Sequence, residues 1–307
     1  MRWGVFSGAL WGLDTVILGI ALAMAPFAGA SQASMASALL HDAICALILF
    51  VYMGARGRLG RTLAAIRTRS GKAIALGAIL GGPFGMTGYL IAINNIGPGY
   101  TAIISTFYPA VGTLLAYLFL KERMRPRQIL ALLVALAAII LIGYSSTGST
   151  ASGNAVLGIV AALACVLGWG SEAVILAWGM RDDEVDEDSA LQIRESTSAL
   201  VYLLVVAPIA GVLGFGIRAI PTLGTGVIAL AALAGTASYL FYYTAINTVG
   251  ASRGMALNIS YSAWAVIFAL LLIGTVPSVL QIVCCMVILV GTVLAATPNW
   301  KELRASW

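Results

Sequence analysis

Ten apolar stretches follow one another along the 307-residue chain, with only short connections between them. They run from Trp3 to Met24, Ser34 to Gly54, Ala73 to Asn95, Tyr100 to Leu120, Ile129 to Tyr144, Ala155 to Trp178, Ala190 to Val212, Val227 to Asn247, Ser252 to Ile273, and Val279 to Ala296. A helix needs about 20 apolar residues to cross a bilayer core, and lipid leaves no other partner for its backbone groups. Only 9% of the residues are charged, against about 25% in a soluble protein. The expected fold is therefore all-α: a polytopic membrane protein with ten transmembrane helices and no room for a separate soluble domain. Arg2 ahead of an apolar run resembles a secretory signal, but Asp14 interrupts that run, and a signal has an uninterrupted apolar region.

The basic residues set an expected orientation. Arg56, Arg58, Arg61, Arg67, Arg69 and Lys72 fill the second connection, and Lys121, Arg123, Arg125 and Arg127 fill the fourth. Arg2, Arg181, Arg194, Arg253, Lys301 and Arg304 fall on the same side, and Arg218 alone on the other. Positive loops stay in the cytoplasm, so both termini are expected there, in an inner (cytoplasmic) membrane. The net charge of +5 follows this pattern and suits anionic lipid; no basic stripe alternates with aromatics, so no nucleic-acid partner is expected. The sixth connection, with Asp182, Asp183, Glu184, Asp186, Glu187 and Asp188, is expected to be a solvated loop. Cys45, Cys165, Cys284 and Cys285 all lie in apolar runs; they suggest buried thiols, and no metal site or cofactor is expected.

The chain contains itself twice. Trp11 to Ile17 matches Trp169 to Ile175, and Ala92-Ile93-Asn94 matches Ala245-Ile246-Asn247. At the latter spacing Tyr89 meets Tyr242, Gly97 meets Gly250, Tyr108 meets Tyr261, and Gln128 meets Gln281. The two units are expected at 1–147 and 153–300. Five crossings per unit make the second enter from the opposite face, so the repeats are inverted about an axis in the membrane plane. Transporters use this device to alternate access to a midplane site.

The stretch from Ser105-Thr106-Phe107-Tyr108-Pro109-Ala110 through Leu115 to Lys121-Glu122-Arg123 resembles the signature of EamA-type carriers in the drug/metabolite transporter superfamily. Its second copy, from Ser260-Tyr261-Ser262-Ala263, lacks the proline and the Lys-Glu pair. Within the superfamily the chain is most similar to YddG-type aromatic and amino-acid exporters. The resemblance implies ten helices around a central cavity and export of small metabolites.

Ionisable residues inside a membrane are functional candidates because burying them is costly. Asp14 and its repeat mate Glu172 could hold a substrate ammonium or take up protons. His41 and Asp42, two turns inside the second helix, are further candidates for proton coupling. Trp169, Tyr108, Tyr261, Tyr243, Tyr89, Asn258 and Ser105 complete the expected cavity lining. Pro109 cannot donate to the Ser105 carbonyl, which leaves that oxygen for a ligand or water. Gly77, Gly81 and Gly85, four apart, are expected to let helices approach closely. Every Lys and Arg falls in a loop, tail or helix end, so the core is expected to lack a fixed positive charge.

The favoured expectation is a secondary carrier exporting amino acids or similar amphiphilic metabolites, its partners being that solute, lipid and candidate coupling protons, with a monomer compatible with the sequence. A multidrug exporter of aromatic cations is the alternative. A membrane enzyme or a passive channel is more remote: no zincin motif, P-loop or nucleophile–base pair is present, and no catalytic residue is nominated.

Overall fold

The structure is a computed structural model that describes residues 1–145, 154–181 and 184–300. Among these, every regular element is helical. Ten helices are long and apolar enough to span a membrane. In chain order they are α1 (Arg2–Leu22), α2 (Ala33–Ala55), α3 (Arg69–Gly97), α4 (Tyr100–Leu120), α5 (Pro126–Tyr144), α6 (Ala155–Gly179), α7 (Glu187–Ile209), α8 (Leu223–Val249), α9 (Ala251–Ile273) and α10 (Val279–Ala296). Large apolar side chains such as Leu47, Phe119, Leu204 and Val279 remain exposed, as a lipid-facing surface requires. The repeat boundaries at 147 and 153, and Asp182, Asp183, Lys301 and Arg304, lie outside the described residues.

The packing is paired as a two-fold repeat demands. α1 packs on α8 and α9, and its counterpart α6 packs on α3 and α4. α2 packs on α8, and α7 on α3; α2 meets α7, and α5 meets α10. Each contact maps onto another, or onto itself, when a helix is exchanged for the one five places along the chain.

Repeat mates also do the same local work. Gly97 and Gly250 both turn the chain with positive φ, at 78° and 91°, which only glycine adopts without strain. The Gln128 side chain accepts from Arg125 N at 3.0 Å, and Gln281 accepts from Ser278 N at 2.8 Å, each capping the helix it begins. The helical run is broken at Thr106–Phe107 in α4 and at Ile259–Ser260 in α9. Pro109 follows only the first break, so proline is not what makes the second.

The Lys-Glu pair of the signature has a structural role. Lys121 takes a left-handed conformation, φ 60°, and ends α4. Glu122 then accepts from Ala251 N and Ser252 N, both at 3.0 Å. Its carboxylate thus caps the N-terminus of α9, where the helix dipole favours negative charge. A Cβ on Gly250 would come within 2.9 Å of that carboxylate. Hydrogen bonds to a charged group contribute about 1.5–3 kcal/mol each. Glu122→Ala is expected to lower the melting temperature in detergent clearly more than Glu122→Gln does. Equal, small effects would remove the cap as a stabilising element.

Candidate functional site

Two connected hollows occupy the middle of the molecule. The inner one, of about 50 Å³, is lined by Trp11, Tyr108, Trp169, Glu172, Ala173, Ser238, Tyr239, Tyr242, Asn258 and Tyr261. The outer one, of about 270 Å³, shares Trp11, Trp169, Tyr239 and Tyr261 with it and adds Asp14, His41, Asp42, Tyr89 and Arg194. Through Leu22, Ser34 and Ile93 it extends toward the end of the bundle where α1 ends and α2 begins.

The aromatic rings are set against one another. Tyr108 meets Trp169 edge-on at 5.7 Å between centroids, Tyr89 meets it at 5.4 Å, and Tyr239 meets Trp11 edge-on at 5.0 Å. Trp169 is held by a hydrogen bond from its Nε1 to the Gly81 carbonyl at 3.1 Å. That carbonyl belongs to a π-helical turn, Leu80–Met86, around Pro83. The glycine stripe of α3 faces α6: Gly77 meets Ile175, Gly81 meets Glu172, and Gly85 meets Trp169. A Cβ on Gly81 would lie 1.7 Å from Glu172 Oε2, so the small residues there make room for the carboxylate and the indole.

The core does carry a fixed positive charge, contrary to the sequence-based expectation. Arg194 is 4% exposed and, among the described residues, the only buried Lys or Arg. Asp186 accepts from Ser189 N at 2.8 Å and starts α7 at Glu187. The Arg194 backbone is therefore about 10 Å along the helix from its start at 1.5 Å per residue. Its Nε donates to Glu172 Oε1 at 3.0 Å, one terminal nitrogen to Glu195 Oε1 at 2.9 Å, and the other to Tyr239 Oη at 3.0 Å. It also lies 4.5 Å above the centre of the Tyr239 ring.

Asp14 and Glu172 are repeat mates without being a pair. Asp14 instead meets His41 Nε2 at 3.0 Å. His41 Nδ1 lies 3.4 Å from Asp42 Oδ1, and Ser198 donates to Asp42 Oδ2 at 2.5 Å. Four carboxylates, Asp14, Asp42, Glu172 and Glu195, thus share one guanidinium and one imidazole. Tyr108 donates to Asn258 Oδ1 at 3.1 Å, and Asn258 donates to Ser7 Oγ at 2.8 Å; Tyr108 and Asn258 flank the helix breaks. Tyr243 and Ser105 stand apart: each is buried, neither lines the hollows, and Ser105 Oγ bonds the Ala102 carbonyl of its own helix. Trp11, Ser238, Tyr239, Tyr242 and Arg194 line them instead. Tyr239 and Tyr242 stand three apart on α8, a helical spacing; the sequence pattern makes Arg194 a helix-end charge because it starts the span at Ala190 and not at Glu187.

The acidic connection is not simply a solvated loop. Asp186 lies 3.8 Å from Arg58 and 3.5 Å from Arg61, while Asp188 pairs with Arg58 and lies 3.7 Å from Arg56. These pairs tie the second connection to the start of α7 at the end of the bundle away from the larger hollow.

A ten-helix bundle built as a two-fold repeat around a polar, ring-lined cavity defines a polytopic transporter. The chain belongs to the EamA-like transporter family, whose model matches residues 2–144 and 156–297. It is similar to Protein LicB of Haemophilus influenzae (strain ATCC 51907 / DSM 11121 / KW20 / Rd), 32% identical over 200 residues, which are 62% of this chain and 64% of that protein. The match thus spans somewhat less than two thirds of the relative's length. One solved crystal structure superposes with a TM-score of 0.71 at 19% identity, covering 99% of this chain and 97% of the other; it shares the fold.

Proposed function

We propose that the protein is a secondary transporter of small ammonium compounds, moving them through the inner membrane by alternating access between its two repeats. The observation that carries this reading is the inner hollow, where six aromatic rings and Glu172 converge. Ring faces attract cations, methylated ammonium groups above all. Arg194 is already engaged by two carboxylates and a phenol, so a substrate carboxylate would find no unengaged cation. This favours a cation over an amino acid, whose carboxylate would depend on the Tyr, Ser and Asn groups alone. The Arg–Asp pairs of the second and sixth connections act as the latch of the end opposite the open hollow. The basic loops favour a cytoplasmic position for that latch and for both termini.

Competition for uptake in liposomes tests the substrate class. Tetramethylammonium and its larger homologues are expected to compete, and zwitterionic amino acids of similar size to compete weakly. Stronger competition by the zwitterions would return the site to amino acids. For the cage itself, a partly desolvated cation over a ring gains about 1–2 kcal/mol, which is roughly 5–30-fold in affinity. Trp169→Ala is expected to weaken tetramethylammonium binding by that factor, and Trp169→Phe by less. A large fall in melting temperature with unchanged affinity would make Trp169 a packing residue.

The orientation is checked by labelling single cysteines. In a cysteine-free background, Arg218→Cys is expected to react with an impermeant reagent in intact cells, and Arg61→Cys only after lysis. Reaction of both from one side would contradict the five-plus-five inversion.

A further inference from the structure

We propose that Glu195 is the proton-carrying group of the site: binding of a cation at Glu172 expels a proton from Glu195, with Arg194 as the link between them. The inference rests on the cation-binding reading of the inner hollow and adds a second residue and a second ion to it.

Glu195 is wholly buried, at 0% exposure. Its Oε1 accepts from Arg194 at 2.9 Å, while its Oε2 is buried with no hydrogen-bond partner. One oxygen is therefore held and the other is open to a proton. The charged and titratable groups around it are Arg194 on its own helix, His41, Asp42 and Cys45 from α2, Glu172 from α6, and Tyr239 and Tyr243 from α8. Neighbouring α3 presents Gly82, which carries no charge.

The coupling follows from one guanidinium serving two carboxylates. With Glu195 ionised, Arg194 divides its charge between Glu195 and Glu172, and Glu172 keeps negative charge to hold an ammonium. With Glu195 protonated, the guanidinium is left to Glu172 alone and neutralises it. Cation and proton therefore oppose each other. When a cation enters, the O–H bond at Glu195 breaks and the proton leaves to the outer hollow by way of its neighbours Asp42 and His41, which line that hollow while Glu195 does not. One positive charge enters as one leaves, and the buried site keeps its net charge.

Titration of the purified full-length protein in detergent with tetramethylammonium tests this. Calorimetry in two buffers of different ionisation enthalpy is expected to count about one proton released per cation. The dissociation constant is expected to rise as the pH falls, approaching tenfold per pH unit, the limit for about one linked proton. Glu195→Gln, a mimic of the protonated form, is expected to bind weakly, without proton release and without pH dependence; Glu195→Asp is expected to restore the release. Release and pH dependence that survive in Glu195→Gln would overturn the proposal and move the proton to Glu172 or the Asp14–His41 pair. Should Glu195→Gln not fold, infrared difference spectra of the wild type and Glu195→Asp decide: a protonated-carboxyl band that disappears on cation addition and shifts in Glu195→Asp supports the proposal, and a band that does not shift, or no band, refutes it. Failure of the wild type to bind the cation at any pH would instead reject the ammonium site itself.

Discussion

Arg194→Leu is expected to destabilise the protein by about 3–5 kcal/mol, the cost of breaking a buried ion pair by removing one partner. The loss comes less from the missing hydrogen bonds than from what stays behind. Glu172 and Glu195 both point an oxygen at the vacated position, within 3.0 Å and 2.9 Å of the guanidinium nitrogens. Without the cation, two carboxylates face each other in a buried site. Arg194→Lys should recover part of the loss. A single ammonium supplies charge but cannot reach Glu172, Glu195 and Tyr239 with one rigid fork. The decisive comparison is the triple variant Arg194→Leu, Glu172→Gln, Glu195→Gln, which removes the charges along with their partner and is expected to melt well above Arg194→Leu. Melting curves in detergent measure all three. If Arg194→Leu melted like the wild type, the buried triad would not exist as described.

That triad marks where the chain stops being legible as a one-dimensional text. The spans could be read because a bilayer imposes a length and an apolar composition on each segment separately. The repeat could be read because pseudo-symmetry makes distant residues do the same work. Gly97 and Gly250 share a backbone conformation that glycine alone adopts readily, and Gln128 and Gln281 cap their helices alike. Pairing between spans follows the same symmetry, but the residue types do not. Asp14 and Glu172 occupy matched places in the repeat, and their partners His41 on α2 and Arg194 on α7 stand at matched places too, yet one is an imidazole and the other a guanidinium. The sequence pattern treated Arg194 as a boundary charge because charged residues usually end a span. Here Asp186 caps the helix ahead of the expected start at Ala190, so Glu187 and Asp188 lie inside it and Arg194 lies about two turns in instead of one. The cue lay in Asp186 followed directly by Glu187 and Asp188, a cap residue with acidic residues in the first turn, but the polar residues of the first two turns outweighed it.

The cavity was legible in its rings and not in its boundary. Helical spacing put Tyr239, Tyr242 and Tyr243 on neighbouring positions of α8, but only packing decides which of them faces the hollow. Tyr243 turns away and sits edge-on to Tyr239 and Tyr242, at 6.3 Å and 6.5 Å, behind the two that line it. A ring packed behind others in this way sets the angle of the rings that line the hollow.

Glu172→Gln is expected to weaken tetramethylammonium binding by roughly 30-fold or more, because removing one member of a buried charge pair costs about 2–5 kcal/mol. The substitution keeps the side chain's shape and its ability to accept from Arg194 Nε, and Arg194 remains paired with Glu195. Folding should therefore be disturbed less than in Arg194→Leu. The charge contribution can be separated from shape with a neutral isostere in which carbon replaces the ammonium nitrogen. The isostere has the same fit to Trp169, Tyr239 and Tyr242 but no charge for Glu172 to meet. It should bind the wild type weakly and Glu172→Gln equally weakly, while the cation should distinguish the two proteins. If both ligands lost affinity together, Glu172 would act through the position of Gly81, against which it packs and whose carbonyl holds Trp169, and not as the counter-ion. If neither lost affinity, the cation would sit elsewhere, with the Asp14–His41 pair in the outer hollow as the remaining acidic site.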